Sequence, residues 1–111
     1  MERDVKKVAE VMARSFASNL RAFIFSRNLI DENIVEDIVK GSGISSLISK
    51  WSKNDIIVYY IRTEPLEREC MYSECSGEKG PAKNECVRKC LEKSLAKAAK
   101  AVAKSILEYS I

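Results

Sequence analysis

The sequence predicts a mainly α-helical fold with a single β-strand, and three observations lead to this prediction. Apolar residues recur at steps of three or four along most of the chain, only one segment has the composition of a strand, and there are only two prolines. At 111 residues the chain is the size of one domain, 1–111. We expect a helical core over 1–63 and a cysteine-tied helical hairpin over 64–111.

The N-terminal half is expected to contain three helices. A long amphipathic helix over 4–27 would bury one apolar stripe, formed by Val5, Val8, Met12, Phe16, Leu20 and Phe23. A second helix begins after Asp31, a suitable N-cap, and ends at Gly41. The segment ISSLISKWSKN, 44–54, predicts a third helix, although its four serines make it weak by propensity.

One strand is expected at 55–62, DIIVYYIR, where β-branched and aromatic residues follow one another. A lone strand leaves its backbone N–H and C=O groups unpaired, and no second convincing strand is present. We therefore expect it to pair across a homodimer or with the edge of another protein. The predicted state is a homo-oligomer or a subunit of a complex.

The C-terminal half predicts two helices joined by the loop SGEKGPAKN. The first helix starts at Thr63, a possible N-cap, and the second runs from Pro81 to about Tyr109. One side of the second helix carries basic residues over about 22 Å: Lys89, Lys93, Lys97, Lys100 and Lys104. Such a row suits contact with phosphates, and the alternative is a solvated face paired with acids. Arg14 and Arg21, seven residues apart on the predicted first helix, would add phosphate contacts.

All four cysteines lie in CMYSECSGEKGPAKNECVRKC, 70–90. An antiparallel hairpin folded at the loop would bring Cys75 opposite Cys86 and Cys70 opposite Cys90, which would give two nested disulfides if the first helix frays or tightens near Cys75. The pattern resembles that of α-hairpinin-type stapled helices over 70–90 alone, and the resemblance implies geometry and no activity. Two alternatives remain: zinc or an iron–sulfur cluster on four thiolates, or reduced buried thiols.

Residues 34–53 resemble a helix-turn-helix, with GSGIS as the turn between two helices and a strand following them. The resemblance implies that the second helix enters the major groove of DNA. Its groove-facing residues would then be Ser45, Ser46, Ser49 and Lys50.

The composition of the chain limits which cellular compartment and which kinds of chemistry we expect for it. No apolar run approaches the roughly 18 residues of a membrane span, and the N-terminus lacks a signal-peptide apolar region. We therefore expect a cytoplasmic protein without membrane contact; cysteines paired in the cytosol would indicate a hyperthermophilic, archaeal source. The chain has no histidine, and no phosphate-binding loop or facing pair of carboxylates is present, so neither an enzyme nor a small-molecule substrate is expected.

Three functions follow from these observations. The first is a nucleic-acid-binding or nucleic-acid-associated accessory protein that contacts DNA or RNA phosphates through the basic C-terminal helix. The alternative is a non-catalytic protein-interaction subunit of a larger complex. The third is a metal or iron–sulfur protein ligated by the cysteines, and no other cofactor is expected.

Overall fold

The computed structural model describes residues 2–18 and 21–110, which form four α-helices and a three-stranded antiparallel sheet. The elements in chain order are α1 (Glu2–Ser18), β1 (Ala22–Ser26), α2 (Glu32–Gly41), β2 (Ile48–Lys53), β3 (Ile56–Ile61), α3 (Thr63–Glu69) and α4 (Gly80–Ser110). The architecture is therefore mixed α/β. The prediction of a mainly α-helical fold with one strand was wrong.

The predicted helix over 4–27 ends at Ser18, and its last part is strand β1. Phe23 and Phe25 alternate with exposed Ile24, and they pair with Tyr59 and Ile57 of β3. A short apolar run suits either a helix or a strand by periodicity, and here the pairing with β3 selects the strand. Leu20, part of the predicted stripe, lies outside the described residues.

The predicted third helix is replaced by one 3-10 turn, Ser45–Leu47, and by strand β2. The serine-rich segment has little helical propensity, and a tight turn at Asn54 lets it fold back on β3. Asn54 adopts a positive φ of 55°, a conformation that asparagine tolerates better than most residues.

The helix-turn-helix resemblance does not hold, because the segment directly after α2 forms a 3-10 turn and strand β2 instead of a second α-helix. Ser45 and Ser46 belong to the 3-10 turn, while Ser49 and Lys50 belong to β2. These residues therefore lie on no helix that could enter a DNA groove.

Strand β3 is the predicted strand, and it lies in the centre of the sheet in the order β1-β3-β2. Both of its edges are paired within the chain, so its backbone needs no second copy or partner strand. The outer edge of β1 is contacted by α1, where Ser15 Oγ accepts a hydrogen bond of 2.9 Å from the Ile24 N–H. β2 forms the other edge of the sheet.

One face of the sheet, the inner face, packs against the helices. Its buried residues are Phe23, Phe25, Ile57, Tyr59 and Ile61. The Tyr59 ring stacks on Phe23 and Phe25 at centroid distances of 5.4 and 6.0 Å. This face joins Met12 of α1, Ile38 of α2 and Val102 of α4 in one core.

Helix α2 begins after Asp31, and the predicted N-cap role of Asp31 is confirmed. The Asp31 carboxylate accepts a hydrogen bond of 2.9 Å from the Asn33 N–H, as an N-cap does. At its other end α2 approaches α4 closely: a Cβ on Gly41 would stand 2.9 Å from Ser105 Oγ. The buried Ser105 hydroxyl donates a 2.7 Å hydrogen bond to the Ile38 carbonyl, which fixes this contact.

Candidate functional site

The lysine stripe of α4 consists of the five residues predicted from the sequence, and all of them are exposed: Lys89, Lys93, Lys97, Lys100 and Lys104. At 3.6 residues per turn they fall within an arc of about 80° and span about 22 Å along the axis. The opposite side of the helix is buried through Ala98, Val102 and Ile106. The stripe is therefore a straight basic ridge on the solvent side of the helix.

Few acidic groups neutralise this stripe. Lys89 Nζ lies 3.9 Å from a Glu85 carboxylate oxygen, and the other four lysines form no ion pair with any described residue. The acids Glu85 and Glu92 are bound instead by Arg88, at 2.6 and 2.8 Å, on a neighbouring side of the helix. The hydrogen bond from Arg88 lowers the pKa of Glu85. The stripe thus keeps most of its positive charge.

Two disulfides tie α3 and the turn after it to α4. They are Cys70–Cys90 and Cys75–Cys86, each with 5.9 Å between Cα atoms, which is the nested pairing predicted from the sequence. We name this pair of crosslinks the staple. With all four cysteines paired, no thiolate remains as a ligand, so the metal or cluster alternative is not the arrangement in this structure.

A π-helical turn, Cys70–Glu74, makes the staple geometrically possible. On an ideal α-helix Cys70 and Cys75 would point in directions about 140° apart. The wider turn closes with a hydrogen bond of 2.8 Å from the Cys75 N–H to the Cys70 carbonyl, an i+5 bond that brings both side chains toward α4. The expectation that the helix frays or tightens at this point was wrong, because it widens.

The staple supports the part of α4 that lies outside the main core. Cys70, Cys75 and Cys90 form a small buried cluster of their own, separate from the core around the sheet. The fully buried α4 residues of the main core begin at Ala98, and Leu91 and Leu95 are half-buried against that core, so the staple braces chiefly the part of α4 before Leu91. The start of the lysine stripe, near Lys89, is therefore carried by a covalently braced segment.

The two arginines predicted to extend the basic surface do not share a helix. Arg14 lies on α1, whereas Arg21 lies beyond the end of α1 and directly before β1, and both side chains are exposed. The Arg21 carbonyl accepts a hydrogen bond of 2.7 Å from the Ile61 N–H, so its backbone is part of the sheet. Their expected alignment along one helix line was wrong because α1 ends at Ser18.

Lys50 is held in a polar cluster between β2 and α2. Its Nζ lies 3.4 Å from Glu32 Oε2 and 3.5 Å from Glu36 Oε1, and Glu36 also accepts a 3.3 Å hydrogen bond from the Tyr59 hydroxyl. Burial, followed by the charges of Glu36 and Glu32, raises the pKa of Tyr59. This cluster neutralises Lys50 and anchors α2 to the sheet.

The second face of the sheet, the outer face, was not anticipated from the sequence. Its apolar residues are Ile24, Trp51, Ile56, Val58 and Tyr60, and all but Val58 are among the exposed large hydrophobic side chains. The run IIVYYI is apolar at every position, so the sequence alone gives no sign that Ile57 and Tyr59 are buried on one face while Ile56 and Tyr60 are exposed on the other.

A groove of about 430 Å³ runs between α3 and α4, below the 3-10 turn. The Cys70–Cys90 disulfide, Ser94 and Lys97 lie along it, with Glu69 and Glu74 at its side. Ser94 Oγ is 3.9 Å from Cys70 Sγ. Its cysteines are oxidised, and this groove offers no free thiol.

None of the described helices is both long enough and apolar enough to cross a membrane. Comparison with protein-family models, curated proteins and solved structures found no significant match.

Proposed function

We propose that this protein is a nucleic-acid-binding accessory protein whose lysine stripe contacts the phosphate backbone of DNA or RNA without reading its sequence. The observation that carries this proposal is the stripe itself: five exposed lysines on one side of α4, four of them without an acidic partner among the described residues.

The dimensions of the stripe suit a polyanion. Phosphates of a duplex follow one another every 3.4 Å per strand along the axis, so about 22 Å spans roughly six of them. Five cations over that length can each neutralise one phosphate and release its counterion. The logarithm of the binding constant should then fall against the logarithm of salt with a slope of about −4 to −5.

The staple supports the proposal through rigidity. A long isolated helix frays at its ends, and a fixed row of charges contacts a stiff polyanion better than a mobile one. Disulfides are stable in non-reducing surroundings and in the cytosol of hyperthermophiles. We place the protein in the cytoplasm of such an organism as part of the proposal.

Binding of a labelled duplex, followed by fluorescence anisotropy at several salt concentrations, tests the proposal. The variant Lys93→Glu/Lys97→Glu/Lys100→Glu should weaken binding by about tenfold or more at about 50 mM salt and reduce the salt slope to about −2, because three counterion-releasing contacts are gone. The matched control, Lys6→Glu/Lys7→Glu/Lys40→Glu, changes the net charge equally at exposed lysines on α1 and α2 and should bind almost as the parent does.

Absence of duplex DNA and duplex RNA binding at low salt would show the proposal to be wrong. Equal losses in the stripe variant and in the control would also contradict it, since that outcome means that net charge alone governs binding. The protein-interaction alternative would then be favoured for α4.

A further inference from the structure

The outer face of the sheet has an ordered arrangement of side chains. Strand register places Trp51 beside Val58, and Tyr60 beside Ser49 one step further along β3. Residues on one side of a strand follow every second position, about 7 Å apart. Trp51 and Tyr60 are therefore diagonal neighbours on adjacent strands, at the separation of about 7 to 8 Å that such pairs have.

A basic residue lies beyond each aromatic residue. Lys53 follows Trp51 by two positions on β2, and Arg62 follows Tyr60 by two positions where the extended backbone of β3 continues. Because the two strands are antiparallel, the four side chains form one diagonal line of about 20 Å. Its order is Arg62, Tyr60, Trp51 and Lys53, and all four are exposed.

The outer face carries positive charge and no negative charge on its strands. Its outward positions on β1, β2 and β3 include Lys53 and no acidic residue, and Asp55 of the β2–β3 turn lines the same shallow pocket as Trp51 and Lys53 without forming an ion pair to any described residue. Neither Lys53 nor Arg62 forms an ion pair with a described residue, although the Arg62 guanidinium donates a 3.3 Å hydrogen bond to the Ser46 carbonyl, which leaves its charge unneutralised. The inner face contrasts with this, since Lys50 there is neutralised by Glu32 and Glu36.

This charge distribution selects the kind of partner. A second copy docked face to face would bring cations near cations and supply no acid to pair with them. An anionic partner with flat apolar groups would satisfy both the basic ends and the aromatic centre. Unpaired nucleotides have these two properties, and aromatic side chains bind them by stacking on their bases with little sequence preference.

We infer that the outer face is a second nucleic-acid site that binds a single strand, with bases stacked on Trp51 and Tyr60 and phosphates near Lys53 and Arg62. The inference rests on the proposed function for the class of ligand. It adds a strand preference that the lysine stripe does not have, because the bases of a duplex are already stacked on each other and cannot reach Trp51.

Trp51 is the single tryptophan of the chain, so its fluorescence reports on this face alone. The experiment titrates the protein with an oligo(dT) of about 12 nucleotides, a length within the range of sheet-based single-strand sites. We expect saturable quenching of Trp51 by the single strand and none by a duplex of the same length. The stripe variant Lys93→Glu/Lys97→Glu/Lys100→Glu should bind the duplex about tenfold or more weakly and keep this quenching.

Substitutions on the outer face distinguish binding by base stacking from binding by charge attraction alone. Trp51→Ala and Tyr60→Ala should each weaken binding of labelled oligo(dT) about 5- to 100-fold, measured by anisotropy, while duplex binding stays unchanged. Trp51→Phe keeps a ring, so it should bind more tightly than Trp51→Ala. The matched control is Tyr72→Ala, which removes an exposed tyrosine from the turn after α3, away from the sheet, and should have no effect.

Three results would overturn the inference. One is unchanged Trp51 fluorescence at saturating oligo(dT); another is an equal loss of binding in Tyr72→Ala and Tyr60→Ala. The third is a dimer in sedimentation that Trp51→Ala dissociates, with no quenching by oligo(dT), which would assign the face to a second copy. Failure of the proposed function is distinguishable, since it appears as absent duplex binding while the quenching by a single strand persists.

Discussion

The sheet region and the stapled hairpin are held together by different forces, although α4 belongs to both. Around the sheet, large side chains from α1, α2, β1, β3 and α4 form one continuous apolar core, to which α3 adds Leu66. In the hairpin the separate buried cluster consists of three cysteines, with Cys86 and Val87 packed against it. Where so little apolar surface is buried, covalent bonds supply the stability that packing supplies elsewhere.

The two regions also present different surfaces to solvent. The hairpin and α4 expose a row of lysines, whereas the sheet exposes aromatic and aliphatic side chains with basic residues at the ends of the line. A braced helix suits a ligand recognised by charge, and a stiff sheet suits a ligand recognised by stacking. Substitutions in the core should therefore destabilise mainly the sheet region, and removal of the disulfides should destabilise mainly the hairpin.

The largest effect is expected from the core of the sheet region. Ile57→Ala removes a fully buried side chain from the central strand, which should lower the free energy of unfolding by about 2 to 5 kcal/mol. Ile56→Ala, at the next position but on the exposed outer face, should cost much less. Chemical denaturation of both variants provides the measurement, and equal losses would mean that β3 does not have one buried and one exposed face.

Removal of the staple should produce the next largest effect, confined to the hairpin. The Cys70–Cys90 and Cys75–Cys86 bonds close loops with sequence separations of 20 and 11 residues, and each bond of this size stabilises by about 3 kcal/mol. Replacing both members of either pair by serine should increase amide hydrogen exchange most in the π-helical turn and in α4 before Leu91, because Leu66 of α3 and Leu91 of α4 pack against the main core. The strands should keep their protection, and uniform loss of protection across the chain would contradict the separation of the two regions.

The smallest effect is expected from the titration of Tyr59, which lies in the core of the sheet region. Because the folded state raises the pKa of Tyr59, the unfolded chain releases this proton first as pH rises above about 10. The stability contributed by neutral Tyr59 is therefore present below that pH and is lost progressively above it. In Tyr59→Phe this alkaline decrease should become shallower, as followed by thermal unfolding between about pH 8 and 11, and an unchanged slope would exclude Tyr59 as its source.

Sequence patterns were sufficient where local chemistry and tertiary environment agree. Asp31 caps α2 through a contact within two residues, α4 has alanine-rich helical propensity, and the β-branched run of β3 has no competing periodicity. The nested cysteine pairing followed from the antiparallel hairpin, and the five lysines followed from helical spacing.

Sequence patterns failed in two segments whose residues fit the pattern of a helix as well as that of a strand. Residues 22–26 continued an apolar helical stripe equally well, and 48–53 had a weak helical period and weak strand composition. The strand conformation of these segments is stabilised by backbone hydrogen bonds to the two edges of β3. A short stretch of sequence does not contain these partners, so its pattern could not predict them. The outer face was missed for the same reason, because it exists only when three strands lie side by side.

The sequence by itself thus determined the start of α2, the central strand, the stapled hairpin and the position of the lysine stripe, since each depends on residues close together in the chain. Tertiary structure alone decided the mixed α/β architecture, the π-helical turn that aligns Cys70 with Cys75, and the juxtaposition of Trp51 with Tyr60. These features depend on backbone pairing and packing between distant segments, whose free energies exceed the small differences in local propensity.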